Sequence, residues 1–417
     1  MMGKRLKEIF GLILINITLV SGSLNAETVY ADTQAKIEIE KTEMPLKICV
    51  DEENKKTVLQ IVAAWKKIYK NNGVELMVIP SGQQASEEKV QEIQNEITTG
   101  EGPDVFFAEG PNPTWSEQRV VVFEDPKKEM YQGTFLSLKP YMKYFDIDIL
   151  SAGMANEEQI LLPMTYDYFL YAFTTQDLPE NTEISRNWLE LARQKEKAIQ
   201  QIVGQRSGVQ FFDTFSEVVD YKKKTLLYSE EQIKKVLDET VALKTRSLAL
   251  NWKIKDTGVV SLNDLEELGG EKTVHTVFAM PNQEGGFTAN VTLYAGINKN
   301  TKQPLKAVSF LQMLYSEEVL SGKGIELEDK REASNIRFPQ GVSIYKKELE
   351  KRMRSLSRQD QKQIKTIQEE VKTVRFYSVW DRELNSLLSK YEAQEDEKQK
   401  EHVFIKTIQK WKEKIQK

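Results

Sequence analysis

The chain has 417 residues, 40% of them hydrophobic and 29% charged, with a formal charge of −5 from 58 Lys+Arg against 63 Asp+Glu. That length is too great for one small core and points to two lobes; the interspersed charge argues against a nucleic-acid binder, which would carry a basic face. The single cysteine, Cys49, cannot close an internal disulfide, so an exported fold must rest on its core alone.

Residues 1–31 read as an export signal peptide: Lys4, Arg5 and Lys7 precede an apolar core from Ile9 to Val20, with cleavage after Ala26 or Ala31. The mature protein is therefore expected outside the cytoplasm, extracellular or associated with the cell envelope. Residues 32–44 are polar and charged and form a flexible spacer. No other stretch reaches the roughly 18 apolar residues that span a bilayer.

An α/β rhythm begins at residue 46. A strand over 46–50 holds Cys49 as a buried thiol, a helix over 55–70 is stopped by Asn71-Asn72-Gly73, and a second strand covers 74–79. Ser81-Gly82 turns the chain into a helix over 87–98. Then comes Gly100-Glu101-Gly102-Pro103-Asp104-Val105-Phe106-Phe107-Ala108-Glu109-Gly110, a helix end, a tight turn and a buried strand in immediate succession. Such a junction aims the loop holding Glu109 and Asn112 at a cleft, because ligands of open α/β sheets bind at the carboxyl ends of the strands. Asp104 reads as the residue that ties down the turn.

Leu161-Leu162-Pro163-Met164 and residues 168–174 match buried strands. The period turns helical over 188–202, 210–221 and 230–245. Strand character returns at 273–280 and 292–297, a helix covers 304–320, and residues from 345 onward read as helical and charged. The two histidines, His275 and His402, lie far apart without metal-ligand spacing, so a zinc site or a Ser-His-Asp triad has little material.

This ordering resembles the type II extracellular solute-binding proteins of ABC importers, in the carbohydrate-binding branch that includes maltose-binding protein. Val90 to Ala108 is similar to that family's "helix, Gly, Gly-Pro-Asp, apolar strand" element, and Leu162-Pro163-Met164-Thr165-Tyr166-Asp167-Tyr168 to its "Leu-Pro, ligand loop, crossover strand" element. Met280-Pro281 with Gly285-Gly286, Ala295-Gly296-Ile297-Asn298-Lys299-Asn300 and Lys306-Ala307-Val308-Ser309-Phe310-Leu311 resemble its return to the first lobe; Phe338-Pro339 with the charged helix after it resembles the second return.

The resemblance implies an α/β, two-lobed periplasmic-binding-protein-like fold of type II with a hinge between discontinuous lobes. Residues 45–167 with 281–340 would form lobe 1 and 168–280 with 341–417 lobe 2, with hinge strands near 168–173 and 276–280. It further implies a monomer that captures a small solute, foremost an oligosaccharide, in the interlobe cleft and delivers it to ABC transporter permease subunits. No cofactor, metal or catalytic residue is expected.

Asp167 falls where sugar binders place a carboxylate, which accepts two or more hydroxyl hydrogen bonds; the alternative is an Asp satisfied by backbone amides at the start of a strand. Tyr166 beside it would stack or donate. Glu109 and Asn112 follow the Gly-Pro-Asp strand. Asp51 and Glu52, with Glu53, occupy the first strand-to-helix loop, facing ligand or else placing charge at a helix N-terminus. Ser81 is a turn or cap residue or a contact. Trp380 matches a stacking tryptophan of the maltose binder, with a core Trp as the alternative; Trp115 and Trp252 are weaker candidates, and Trp65, Trp188 and Trp411 are assigned to amphipathic helices.

Val20-Ser21-Gly22-Ser23 has the form of a lipoprotein processing site with Ser23 where the lipid-bearing cysteine would stand, which leaves the mode of envelope association open. A ligand-sensing or adaptor protein of the same fold and a carboxylate-dependent hydrolase are the other two readings.

Overall fold

Leu46, Ile48, Cys49 and Val50 lose all contact with water in strand β1 (Leu46–Asp51), which pairs in parallel with β2 (Val74–Ile79) and β3 (Val105–Glu109). Strands covered on both faces read as continuous apolar runs, and helices α1 (Glu52–Ile68) and α2 (Gln83–Thr98) supply the crossovers. The computed structural model describes residues 39, 44–70, 72–112, 120–138, 147–175, 177–179, 182–206, 211–250, 257–262, 264–265, 268, 275–327, 330–332 and 336–416. The export signal, most of the spacer, Trp115 and Trp252 lie outside them.

After α2 the chain turns through Gly100 (φ +84°) and Gly102 (φ +97°), backbone positions that glycine adopts without steric cost. Asp104 holds this turn. Its carboxylate accepts the backbone N–H of Lys47 at 2.9 Å, the hydroxyl of Thr301 at 2.5 Å and the amide of Gln303 at 3.3 Å.

Short helix α3 (Pro126–Gln132) precedes two strands, β4 (Leu161–Asp167) and β5 (Phe169–Thr174). Helix α4 (Glu230–Ala249), opened by a Ser229–Gln232 capping box, leads to β6 (Thr257–Ser261), β7 (His275–Ala279) and the eleven-residue, fully buried β8 (Phe287–Ile297). Then follow α5 (Pro304–Leu314), β9 (Val342–Ser343), α6 (Arg358–Glu369), β10 (Val371–Phe376), α7 (Val379–Glu392) and α8 (Glu397–Gln416). The main sheet runs β9-β4-β8-β3-β1-β2. The second half of β8 lies between β3 and β4, antiparallel to both, whereas its first half, Phe287 to Val291, pairs in parallel with β10.

The fold has two lobes, each with its own apolar core. A second sheet, β6-β5-β7, stands between them, and its side chains alternate as a pleated strand requires. On β5, Leu170 and Ala172 join the first core while Tyr171 and Phe173 join the second; on β7, Val277 and Ala279 go one way and Phe278 the other. Both strands fall on the segments expected to serve as hinges.

Several elements differ from the sequence reading. Residues 211–221 do not continue a helix: Phe211–Thr214 is a 3₁₀ turn and Val219–Asp220 pairs with Thr225–Leu226, because Phe211, Phe212 and Phe215 bury into the second core from a turn that mimics helical spacing. The expected helix over 188–202 breaks into Trp188–Arg193 and Lys197–Arg206. Strand β10 sits within the region read as helical. The buried side chains from Val342 to Phe376 pack with the first core, and those from Tyr377 onward with the second. The last crossing between lobes therefore falls at Phe376 and Tyr377 instead of at residue 340, and Val260, Leu262, Leu265 and Leu268 also belong to the first core.

Candidate functional site

A cavity of about 200 Å³ opens where β5, the middle of β8 and the start of α7 converge. Its wall is polar: Glu53, Asn112, Asp167, Ser261, Asn290, Thr292 and Gln340 alternate with Tyr168, Phe169 and Tyr377. Gly110 keeps the floor open to the sheet, since a Cβ there would stand 2.6 Å from the carbonyl oxygen of Val291. The carboxyl-end loop of β3 lines this cavity through Gly110 and Asn112.

Of the residues singled out in the sequence, Asp167 and Asn112 come together on this wall, joined by Glu53. Asp167 accepts the backbone N–H of Leu262 at 2.8 Å. Loss of solvent pushes its carboxyl up to about 7 and the charge of Asp264 adds to this, while the Leu262 and Tyr168 amides and the Ser261 hydroxyl pull it back. Between about pH 4 and 7 folded Asp167 therefore holds a proton that the unfolded chain has released, and it disfavours folding increasingly as pH rises through that window. Asp167→Asn should accordingly lose less stability than the unmodified chain between pH 4.5 and 7.5. Unfolding midpoints measured without ligand check this, and equal losses would contradict it.

The other named residues are engaged elsewhere. Glu109 is 3% exposed, and its carboxylate accepts the side-chain amides of Gln340 at 2.5 Å and Asn54 at 3.4 Å; it supports the wall from behind instead of facing the cavity. Asp51 accepts the Glu109 backbone N–H at 2.9 Å, tying β1 to β3. Glu52 pairs with Lys55 in the first turn of α1 at 3.2 Å, and Ser81 is exposed beyond β2; neither lines the cavity. Tyr166 is buried, stacked on Tyr168 at 6.4 Å, and both phenols donate to Gln368.

Trp380 is 5% exposed, within the second core. Its Nε1–H donates to the Tyr221 hydroxyl at 2.9 Å, Trp411 meets it edge-on at 6.1 Å, and the Lys414 ammonium lies 5.3 Å from its ring centre. The indole is part of the lobe and not a platform in the cleft. Tyr221 in turn donates to Asp125 just before α3, whose carboxyl burial pushes up to about 6. With Lys127–Glu217 and Arg382–Glu124 at 2.6 Å, these bonds join the two lobes at a rim apart from the cavity.

Sequence reading missed Asn290, Thr292, Ser261, Gln340, Tyr168 and Tyr377. One signal was present: Asn290 is an amide, flanked by Thr288 and Thr292, inside the fully buried run from Phe287 to Ile297, and a buried polar group of that kind calls for a partner. The amide of Asn290 donates to Asp213 at 3.4 Å; burial raises the Asp213 carboxyl to about 7 with Arg375 partly offsetting it.

Two lobes, crossover strands shared by both cores and a polar cavity beside them define a binding protein of the hinged kind. The chain belongs to the bacterial extracellular solute-binding protein family, whose model matches residues 51–320. No curated protein matches it. Among solved structures, an extracellular solute-binding protein family 1 from Alicyclobacillus acidocaldarius is similar at a TM-score of 0.58 and 12% identity, over 91% of this chain and 100% of that one. A periplasmic oligogalacturonide binding protein from Yersinia enterocolitica is similar at 0.56 and 14% identity, over 89% and 99%. A de novo designed cysteine esterase also matches, at 0.56 and 12% identity over 90% and 100%. At these identities the likeness is one of fold. Among the described residues, no helix is long and apolar enough to cross a membrane, and no group of three or more His, Cys, Asp or Glu is arranged to hold a metal.

Proposed function

We propose that this protein is an extracellular receptor that captures a carbohydrate in the cleft beside Asp167 and delivers it, as a monomer, to the permease subunits of an ABC importer. The observation that carries this reading is the cavity wall itself. Carboxylate, amide and hydroxyl groups interleave there with aromatic faces, the mixture that suits a ring with a polar rim and an apolar face. The volume of about 200 Å³ matches one sugar ring, so an oligosaccharide would seat one residue there and extend along the open side. Closure about β5 and β7 then reports occupancy, because contacts to both lobes exist only when the cleft is shut.

A thermal-shift screen of the purified protein against oligosaccharides, polyamines and short peptides tests this. A sugar should raise the unfolding midpoint in a concentration-dependent way, by about 2.7 kcal/mol of stability at a hundredfold excess over Kd, with the sugar recovered unchanged. A shift confined to polyamines or peptides would overturn the solute class, and a hydrolysed product would overturn the receptor reading.

A further inference from the structure

Two of the cavity's amides are held by buried carboxylates behind the wall. Asn290, 2% exposed, gives its Nδ2–H to Asp213, and Gln340 gives its Nε2–H to Glu109. Each amide thus has its donor end fixed inward, which settles which end is which. The opposite ends, Asn290 Oδ1 and Gln340 Oε1, are buried acceptors with no hydrogen-bond partner in the protein. An unsatisfied buried acceptor is costly, and a ligand donor relieves that cost.

The charges facing the cavity have one sign. Glu53 and Asp167 line it, and no Lys, Arg or His does so among the described residues. Arg375 stands behind Tyr377, its guanidinium 5.4 Å from the ring centre, and is spent on Asp381 at 2.5 Å and Asp213 at 3.6 Å. Among the described residues, the wall would meet an anionic ligand with two carboxylates and no cation to offset them.

Resting on the reading of this cleft as the solute site, the geometry points to a ligand that offers hydrogen-bond donors and carries no negative charge, with Asn290 and Gln340 as the residues that set this preference. Neutral sugar hydroxyls and ammonium groups share that chemistry; uronates lack it. The cleft therefore discriminates against acidic sugars such as oligogalacturonides.

The test is equilibrium binding at pH 7.5 of matched pairs, galactose against galacturonate and glucose against glucuronate, with the trisaccharide of each and with putrescine as the ammonium probe. The expected result is a neutral sugar bound at least tenfold more tightly than its uronate. Gln340→Met should narrow that ratio, with the unliganded unfolding midpoint reporting that the variant is folded. A uronate bound as well as or better than its neutral partner overturns the inference and leaves carbohydrate capture standing. Binding of putrescine alone upholds the donor rule and removes the carbohydrate reading. Absence of binding by every probe overturns both.

Discussion

Replacing Arg375 with methionine should cost about 3–5 kcal/mol of folding stability. The guanidinium, 3% exposed at the side chain, donates to Asp381 at 2.5 Å and to the Phe212 carbonyl at 3.4 Å, and lies 3.6 Å from Asp213. Arg375 comes from β10 of the first core, whereas Asp381 and Asp213 belong to α7 and the 3₁₀ turn beside the second. Methionine keeps the unbranched apolar stem but removes the guanidinium and strands two buried carboxylates. Such a loss exceeds the intrinsic worth of the ion pair, because uncompensated buried charge is what remains. Burial already raises the folded-state carboxyl of Asp213 to about 7 with Arg375 holding it down, and losing Arg375 raises it further, so the deficit should be largest at alkaline pH and shrink as pH falls from 9 toward 6. Denaturant unfolding at both ends of that range checks magnitude and sign. A change under about 1 kcal/mol, the range of exposed ion pairs, would mean that water reaches this network.

The second large effect belongs to Trp380. Trp380→Ala should remove about 3–5 kcal/mol, the cost of emptying a buried aromatic site, and it also takes from the Tyr221 hydroxyl the N–H it accepts at the rim that joins the lobes. The affinity for a solute should change far less, since Trp380 is absent from the cavity wall. Unfolding curves and binding isotherms on the same variant separate the two roles. Unchanged stability with collapsed affinity would return the indole to the ligand.

The reasons for what was and was not legible in the sequence are physical. The first α/β units were readable because each signal there is local: apolar runs for parallel strands, Gly100 and Pro103 for a helix stop, and Asp104 for the turn it ties. Asp167 and Asn112 reached the cleft because each sits at the end of a recognisable strand. Trp380 was misplaced because helical spacing reports only that a face is covered, and covering by the lobe's own core looks the same in sequence as covering by a ligand. Asn290 and Gln340 stayed hidden because their importance arises from partners 77 and 231 residues away, Asp213 and Glu109. Strand β10 was masked by its charged neighbours, with Lys372 and Arg375 interrupting the alternation. The crossing at Phe376 could not be read without it.

Capture of a solute in the cleft is tested most directly by calorimetric titration of the sugar that raises the unfolding midpoint into the unmodified protein and into an Asn112→Ala/Asp167→Ala variant. A single site with one-to-one stoichiometry, weakened about tenfold or more (about 1.4 kcal/mol or more) in a variant that still unfolds cooperatively, is the predicted result. Equal affinity in both proteins would place the ligand outside this cleft and contradict the assignment.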